Sequence, residues 1–192
     1  MPRLIFVVSF IFCMLGANSQ TTLLSSSALA LKKDYKNIQE ALAQPDSVYR
    51  LSLIDINLSQ STLHFDTFTN LQSLRLFNNQ LISLPASITN LAYLQELSIY
   101  ENNLTSLPAT IQKLTHLRKF EMNFNALTYI PIQIGSLTNI TEMDLRYNHL
   151  YVMPTEIHFL TKLRILNLSG NVISYTERRR IQNLLPNCKI TY

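Results

Sequence analysis

The sequence predicts an α/β solenoid, a stack of short coils with parallel strands on one side and helical turns on the other. The first observation is an asparagine that recurs at a constant spacing of 23 residues. The second is that apolar residues alternate ahead of each asparagine, as in a strand with one buried face. The third is a proline in the same phase, after which the apolar spacing lengthens to three residues, as in a helix or 3₁₀ turn. The asparagines are Asn79, Asn102, Asn125, Asn148 and Asn171, and the prolines are Pro85, Pro108, Pro131 and Pro154.

Each asparagine belongs to the same frame, which in its first complete copy is Leu71-x-x-Leu74-x-Leu76-x-x-Asn79-x-Leu81. One strand and one short turn cannot bury their apolar faces alone, so the copies must stack. Because an amide side chain has both donors and an acceptor, we expect the asparagines to pair the backbone groups of the bend from repeat to repeat. In the earliest copy Ile56 stands at the asparagine position, which predicts an altered bend. The predicted repeats are residues 48–70, 71–93, 94–116, 117–139, 140–162 and 163–185.

Two further segments are predicted to cover the open ends of the stack, where the terminal copies would otherwise expose their core. Apolar residues at helical spacing within Tyr35–Leu42 predict a cap helix over residues 32–46. After the last repeat, we expect a helix that begins near Thr176 and then a closing strand at residues 186–192. We therefore predict a single repeat domain at residues 32–192.

The first residues have the pattern of a secretory signal peptide. Arg3 precedes the apolar run Leu4–Leu15, and small residues follow it up to Ser19. The run is shorter than the roughly 20 residues that a membrane-spanning helix needs. We predict a signal peptide at residues 1–19, a flexible and unanchored stretch at residues 20–31, and no membrane span in the mature chain.

The sequence contains no recognisable catalytic or metal-binding motif. None of its three glycines lies in a phosphate-binding loop, and the four histidines fall at different repeat phases. Cys188 is expected at an inward position of the closing strand, equivalent to Leu74, as a small buried apolar residue. An enzyme would have to use acids such as Glu121 and Asp144, and an open sheet gives them no enclosed pocket. We expect a protein that is not an enzyme and that uses no cofactor and no metal.

The candidate binding residues lie between the buried strand positions and are predicted to point out of the inner face of the solenoid. Phe77 and Tyr100 are neighbours in one column of repeat positions, and Phe124 and Tyr147 in the next, which predicts a continuous oblique aromatic stripe. Exposed aromatics beside charges are typical of protein interfaces, although they can also pack together to stabilise a sheet. The predicted partner-binding residues are Arg75, Phe77, Asn78, Glu96, Ser98, Tyr100, Glu101, Lys119, Glu121, Asn123, Phe124, Glu142, Asp144, Arg146 and Tyr147.

The charge of this face argues against a nucleic-acid partner. The whole chain carries a formal charge of +4. The inner face has six acids and four bases, a net charge of −2, whereas a phosphate-binding face would be positive. The acids are Asp55, Glu96, Glu101, Glu121, Glu142 and Asp144, and the bases are Arg50, Arg75, Lys119 and Arg146. We expect another protein as the partner and no nucleic acid.

The frame and its continuation Leu-Pro-x-x-Ile-x-x-Leu resemble the 23-residue leucine-rich-repeat class, found in Ras-pathway scaffold proteins and abundantly in bacterial proteins. The segments 35–48 and 185–190 are similar to those of short secreted bacterial members. This resemblance covers residues 35–192. It implies a right-handed horseshoe with a concave parallel β-sheet, a convex side of short helical or 3₁₀ turns, and a concave face that recognises another protein.

Two functions are compatible with these patterns. The first is a non-enzymatic protein–protein interaction module, exported to the periplasm, the cell surface or the medium, and expected to be a monomer. The second is an adhesive or structural protein of the cell envelope that binds polysaccharide, because aromatics and carboxylates also suit sugars.

Overall fold

The computed structural model describes residues 22–58 and 63–192. Eight parallel strands form one sheet in chain order, and short 3₁₀ turns alternate with most of them along the chain. The strands are β1 (Asp34–Tyr35), β2 (Arg50–Ile54), β3 (Ser73–Phe77), β4 (Glu96–Ser98), β5 (Lys119–Glu121), β6 (Glu142–Asp144), β7 (Ile165–Asn167) and β8 (Lys189–Thr191). The helices are α1 (Ser26–Ala30), α2 (Ile38–Ala43) and α3 (Tyr175–Leu184). The 3₁₀ turns are Pro45–Ser47, Phe65–Thr67, Ala86–Asn90, Ala109–Lys113, Ile132–Ser136 and Thr155–Phe159. The predicted α/β solenoid is confirmed.

The core lies between the sheet and the turns, because equivalent apolar residues stack in register. Leu74 pairs with Leu97, and Phe120 pairs with both Leu97 and Met143. The side chains in this column are all buried, as are the isoleucines of the turns on the opposite side. Four prolines stand immediately before the turns, where a fixed φ and a missing N–H cost nothing.

The predicted asparagine ladder is confirmed. The Asn102 side chain accepts hydrogen bonds from the N–H groups of Asn79 and Leu81, each at 3.0 Å. It also donates to the carbonyl of Leu76 at 2.8 Å. Asn125, Asn148 and Asn171 repeat two of these bonds, accepting from the N–H group equivalent to that of Leu81 and donating to the carbonyl equivalent to that of Leu76. The amides thus satisfy buried backbone groups where the strand ends, which is why the position requires a side chain with donors and an acceptor.

The N-terminal cap differs from the single helix predicted over residues 32–46. Its first part is the short strand β1, in which Tyr35 pairs with Leu51 and is buried in the core. Only Ile38–Ala43 is α-helical, because Asn37 caps the helix by accepting from the N–H groups of Gln39 and Glu40. The cap therefore also pairs with the edge of β2, which an isolated helix would leave open.

The predicted signal peptide, residues 1–19, lies outside the described residues. Residues 22–31 are described, and they are not unanchored as the sequence indicated. They include α1, whose N-terminus is capped by Ser25, and they are hydrogen-bonded to the sheet. None of the helices in the described ranges is both long enough and apolar enough to cross a membrane.

The C-terminal cap has the predicted helix and strand, but the strand register corrects one assignment. Ile190 pairs with Leu166, so Ile190, and not Cys188, continues the column of Leu74. Cys188 lies before the strand, where its N–H closes the preceding turn on the carbonyl of Leu185, as the N–H of Leu163 closes a turn in the repeat before. Cys188 is buried as expected, and burial raises the pKa of its thiol to about 11, which keeps it protonated and unreactive.

Glu177 joins α3 to the last repeat, and its contribution to stability is expected to depend on pH. It accepts from the Met153 N–H at 2.9 Å and from the Arg180 guanidinium at 2.7 Å. Burial opposes ionisation of this carboxyl, but the hydrogen bonds from Arg180 and Met153 prevail and lower its pKa below 4.5. A lowered carboxyl pKa stabilises the fold above the unfolded-state pKa, and this stabilisation is lost as the pH falls through the folded-state value.

The variant Glu177→Gln should therefore be less stable than the wild type by about 1.5 kcal/mol at pH 7. This is the low end for a hydrogen bond to a charged group, because the Arg180 side chain is 35% exposed. At pH 3 the difference should shrink, because the wild-type carboxylate becomes protonated. Urea unfolding at the two pH values measures both free energies. An equal difference at both would show that the charge of Glu177 contributes nothing.

Candidate partner-binding face

The predicted binding residues lie on β3–β6 and on the bends that follow these strands. Most of them are exposed or half-buried, and they lie on the side of the sheet opposite the leucine core. Ser98 and Asn123 are only 5% and 6% exposed, so the prediction that they face solvent is wrong. For Ser98 the reason is the size of its neighbours, because it pairs with Arg75 and Glu121, whose longer side chains flank it on the neighbouring strands.

The predicted aromatic stripe consists of two stacked pairs. The rings of Phe77 and Tyr100 lie 4.3 Å apart at an interplanar angle of 13°. The rings of Phe124 and Tyr147 lie 4.5 Å apart at 19°. Phe124 and Tyr147 are 41% and 52% exposed, and the other pair is half-buried. None of the four rings belongs to the core cluster, so all remain on the inner face.

The eighth repeat position adopts positive φ in every repeat, which the sequence did not predict. The φ values run from 47° at Asn78 to 72° at Gly170, and they include the bulky residues Phe124 and Tyr147. A left-handed backbone at such residues costs of order 1 kcal/mol each and is found mainly at functional sites. Asn78 and Gly170 favour this conformation and were the available signal. A Cβ at Gly170 would lie 2.5 Å from the Tyr147 ring, so this glycine makes room for the exposed aromatic.

Ion pairs between side chains two residues apart fix the charged part of the face. Lys119 Nζ lies 2.8 Å from Glu121 Oε1, and Arg146 Nε lies 3.2 Å from Asp144 Oδ2. The hydrogen bond to Glu121 raises the pKa of Lys119. Burial raises the pKa of Asp144, partly offset by its contacts with Arg146. Each pair contains one acid and one base, so the net charge of the face stays at −2. The side chain of Glu142 is exposed and carries one of its negative charges.

Glu121 and Asp144 pair across neighbouring strands, as an acid/base mechanism would need. The cavity beside Glu121, which Arg75 and Ser98 also line, is only about 10 Å³, far below the size of a small-molecule site. Within the described ranges there is also no group of three or more histidine, cysteine or acidic residues that could hold a metal.

The N-terminal segment contributes to this face, which sequence reasoning missed. Ser26 and Leu29 of α1 line one side of a cavity of about 380 Å³, and the predicted binding residues Glu96, Lys119 and Glu142 line the other. The contacts that hold this segment are made with side chains 48 and 71 residues away. No local pattern could have indicated them.

A family profile described as a leucine-rich repeat region matches residues 47–188. Among solved structures, a leucine-rich-repeat protein of Leptospira interrogans is 33% identical, with a TM-score of 0.65 over 75% of this chain and 36% of that protein. An internalin of Listeria monocytogenes, inlF, is 22% identical, with a TM-score of 0.61 over 82% of this chain and 51% of the internalin. Internalin C2 of the same organism is 17% identical, with a TM-score of 0.65 over 83% of this chain and 68% of that chain. The two internalins share the fold.

The chain thus spans about a third of the length of the Leptospira protein and about half of inlF. No curated protein matches the sequence at a significant level. The repeat frame, the parallel sheet and the profile over residues 47–188 agree with one another. This protein belongs to the leucine-rich-repeat family.

Proposed function

We propose that the protein is an exported, non-enzymatic interaction module that binds another protein through its concave strand face. The observation that carries the proposal is the pair of aromatic stacks, which lie on the open side of the sheet beside the Lys119–Glu121 and Arg146–Asp144 ion pairs. Aromatic side chains with charged neighbours are enriched among the residues that dominate protein interfaces. Membership of a repeat family that binds proteins supports the same function.

The nature of the partner follows from the charge and shape of the face. A net charge of −2 over the inner columns disfavours phosphate and fits a partner surface with a slight excess of positive charge. The two stacks are rigid aromatic platforms, so the partner should present apolar groups to them. We assign the repeats to the 23-residue class, and the signal-like residues 1–19 support export to the cell surface or medium.

Replacing Tyr100 or Tyr147 with alanine should weaken partner capture at least tenfold while the melting temperature stays close to that of the wild type. Each change removes one half of an aromatic stack on the inner face but no residue of the core cluster, so binding and folding should separate. Affinity capture with the full chain, followed by titration of the captured protein against each variant, measures the loss. Tyr151→Ala is the matched control, because Tyr151 is an exposed tyrosine, 61% accessible, that lies beyond the bend and outside the face. An equal loss with Tyr151→Ala, or a parallel loss of folding, would contradict the proposal.

Polysaccharide is the second candidate ligand. Sugars stack on flat aromatic faces, and both stacks present such faces beside carboxylates. A glycan array probed with the full chain separates the two candidates, because a protein-binding face should give no signal that depends on Tyr147.

A further inference from the structure

We propose that the edge of the sheet at which the strands begin is a second binding groove, which takes a short peptide segment with a non-helical first half and one helical turn that carries a leucine anchor. Residues 22–31 of this chain, here called the strap, occupy that groove in cis. The groove lies beside the aromatic stacks but does not include them, so this inference extends the proposed function without depending on those rings.

The groove recognises the backbone of its occupant through two glutamines. Gln72 accepts a hydrogen bond from the Leu24 N–H at 2.9 Å and donates to the Thr22 carbonyl at 3.0 Å. Gln95 donates to the Leu24 carbonyl at 2.9 Å and to the Gln72 side chain at 2.7 Å. Both glutamines are buried, with their amides turned to the strap. Because the strap contributes only main-chain atoms of Thr22 and Leu24 to these contacts, they do not depend on the side chains at those positions.

One side chain of the strap supplies the apolar anchor. Leu29 is 2% exposed, although it does not belong to the hydrophobic core cluster of the solenoid. Leu31, two residues further on, is 89% exposed. Arg50 fixes the end of the strap by donating to the Ala30 carbonyl at 2.9 Å. Of these two leucines, only Leu29 is therefore buried against the sheet.

The residue type at the position of Gln72 and Gln95 changes in the repeats that follow them. The glutamine position is occupied in later repeats by Arg118, Thr141 and Arg164, which are exposed or half-buried. The cavity beside Leu29 continues along Arg118 and Thr141, past Gln95, the furthest residue along the stack with a hydrogen bond to the strap described above. Buried, backbone-bonding amides thus occur at the two repeats that bind Thr22 and Leu24, and charged or smaller polar side chains follow. The edge therefore has a groove matched to a short segment, with open space beyond it for a longer one.

The strap belongs to the same chain as the groove and therefore competes with any other segment for it. A short linker gives the strap an effective concentration in the millimolar range, so it excludes weaker segments of other chains. The strap makes side-chain-to-backbone contacts but forms no strand of the sheet. A competing segment therefore has few contacts to displace, and the strap acts as a built-in competitor.

The test uses the full chain and a fluorescein-labelled peptide with the sequence of residues 22–31. Wild-type protein should protect the amides of Leu24 and residues 28–31 from hydrogen exchange and should not bind the peptide. The variant Leu29→Ser should lose at least tenfold of that protection and should bind the peptide saturably. Adding Gln95→Ala to it should weaken peptide binding at least tenfold. Adding Arg164→Ala should not, because Arg164 stands at the same repeat position, is exposed and does not line the cavity beside Leu29.

Three results would overturn the inference: unprotected strap amides in the wild type, unchanged protection in Leu29→Ser, or a released strap without peptide binding. Equal peptide affinity with and without Gln95→Ala would also overturn it. If Gln95→Ala lowers the melting temperature, Gln95→Met, which fills the same space without an amide, decides the point. Because neither readout involves Tyr100 or Tyr147, failure here leaves the concave-face proposal standing, and failure of that proposal leaves the groove standing.

Discussion

Replacing Phe120 with alanine is expected to lower the free energy of unfolding by about 3–5 kcal/mol, the range for removing a fully buried aromatic side chain. Phe120 has no exposed surface and lies in β5, between Leu97 of β4 and Met143 of β6. Each coil of a solenoid contacts only its neighbours, so a cavity in a central coil weakens two interfaces. Urea unfolding followed by circular dichroism measures the loss.

Two further variants of the same column show whether packing is the cause. Phe120→Leu installs the residue that the repeats of Leu74, Leu97 and Leu166 carry, so its loss should lie between those of the wild type and Phe120→Ala. Met143→Leu, which keeps the volume almost constant at the next buried position, should cost less than about 1.5 kcal/mol. If Phe120→Ala costs no more than Met143→Leu, the central coil is not packed tightly around the phenylalanine.

The repeat frame could be predicted from the sequence because the same chemistry recurs at one phase. Leucine columns, the asparagine and the proline each have a local physical reason, and five copies of the asparagine with four of the proline in one phase make coincidence untenable. Deviations arose where a residue's environment depends on distant parts of the chain. Cys188 and Ile190 show this. Their spacing matches that of Leu74 and Leu76, but in β8 it is Ile190 that pairs with Leu166 and therefore takes the position of Leu74.

The candidate face was predictable in outline, and its details were not. Alternation places Phe77 and Tyr147 on the inner side, but it cannot show that the rings form two stacked pairs. Glu101 and Phe124 have no intrinsic preference for positive φ, so their backbone conformation is imposed by the bend and by the ladder. The burial of Ser98 is set by the length of its neighbours. The strap was missed because a short Ser-, Ala- and Leu-rich stretch has no local signal of docking.

Asn125→Ala is expected to lower the free energy of unfolding by about 1–3 kcal/mol, the cost of leaving buried polar groups unpaired. The Asn125 side chain accepts from the Leu104 N–H at 2.9 Å and donates to the carbonyls of Ile99 at 2.8 Å and Met122 at 3.1 Å. Alanine removes these bonds and a longer one to the Asn123 carbonyl at 3.3 Å. Because Asn125 is itself buried, water has little access to the groups left behind. Thermal and urea unfolding measure the effect, and Asn103→Ala, at an exposed asparagine in the preceding repeat, is the matched control.

One repeat of this protein has no asparagine at this position, and its surroundings show where the amide can be absent. Ile56 stands at the asparagine position in the first repeat, where only the two-residue strand β1 precedes β2 and no complete coil needs satisfying. The Asn125 side chain bonds to Ile99 and Leu104 of the preceding complete coil and to Met122 of its own, so its removal leaves backbone groups of both coils without a partner. Partner capture per folded molecule should survive Asn125→Ala, the reverse of the expectation for Tyr100→Ala. If Asn125→Ala is as stable as Asn103→Ala, the ladder does not hold the coils together.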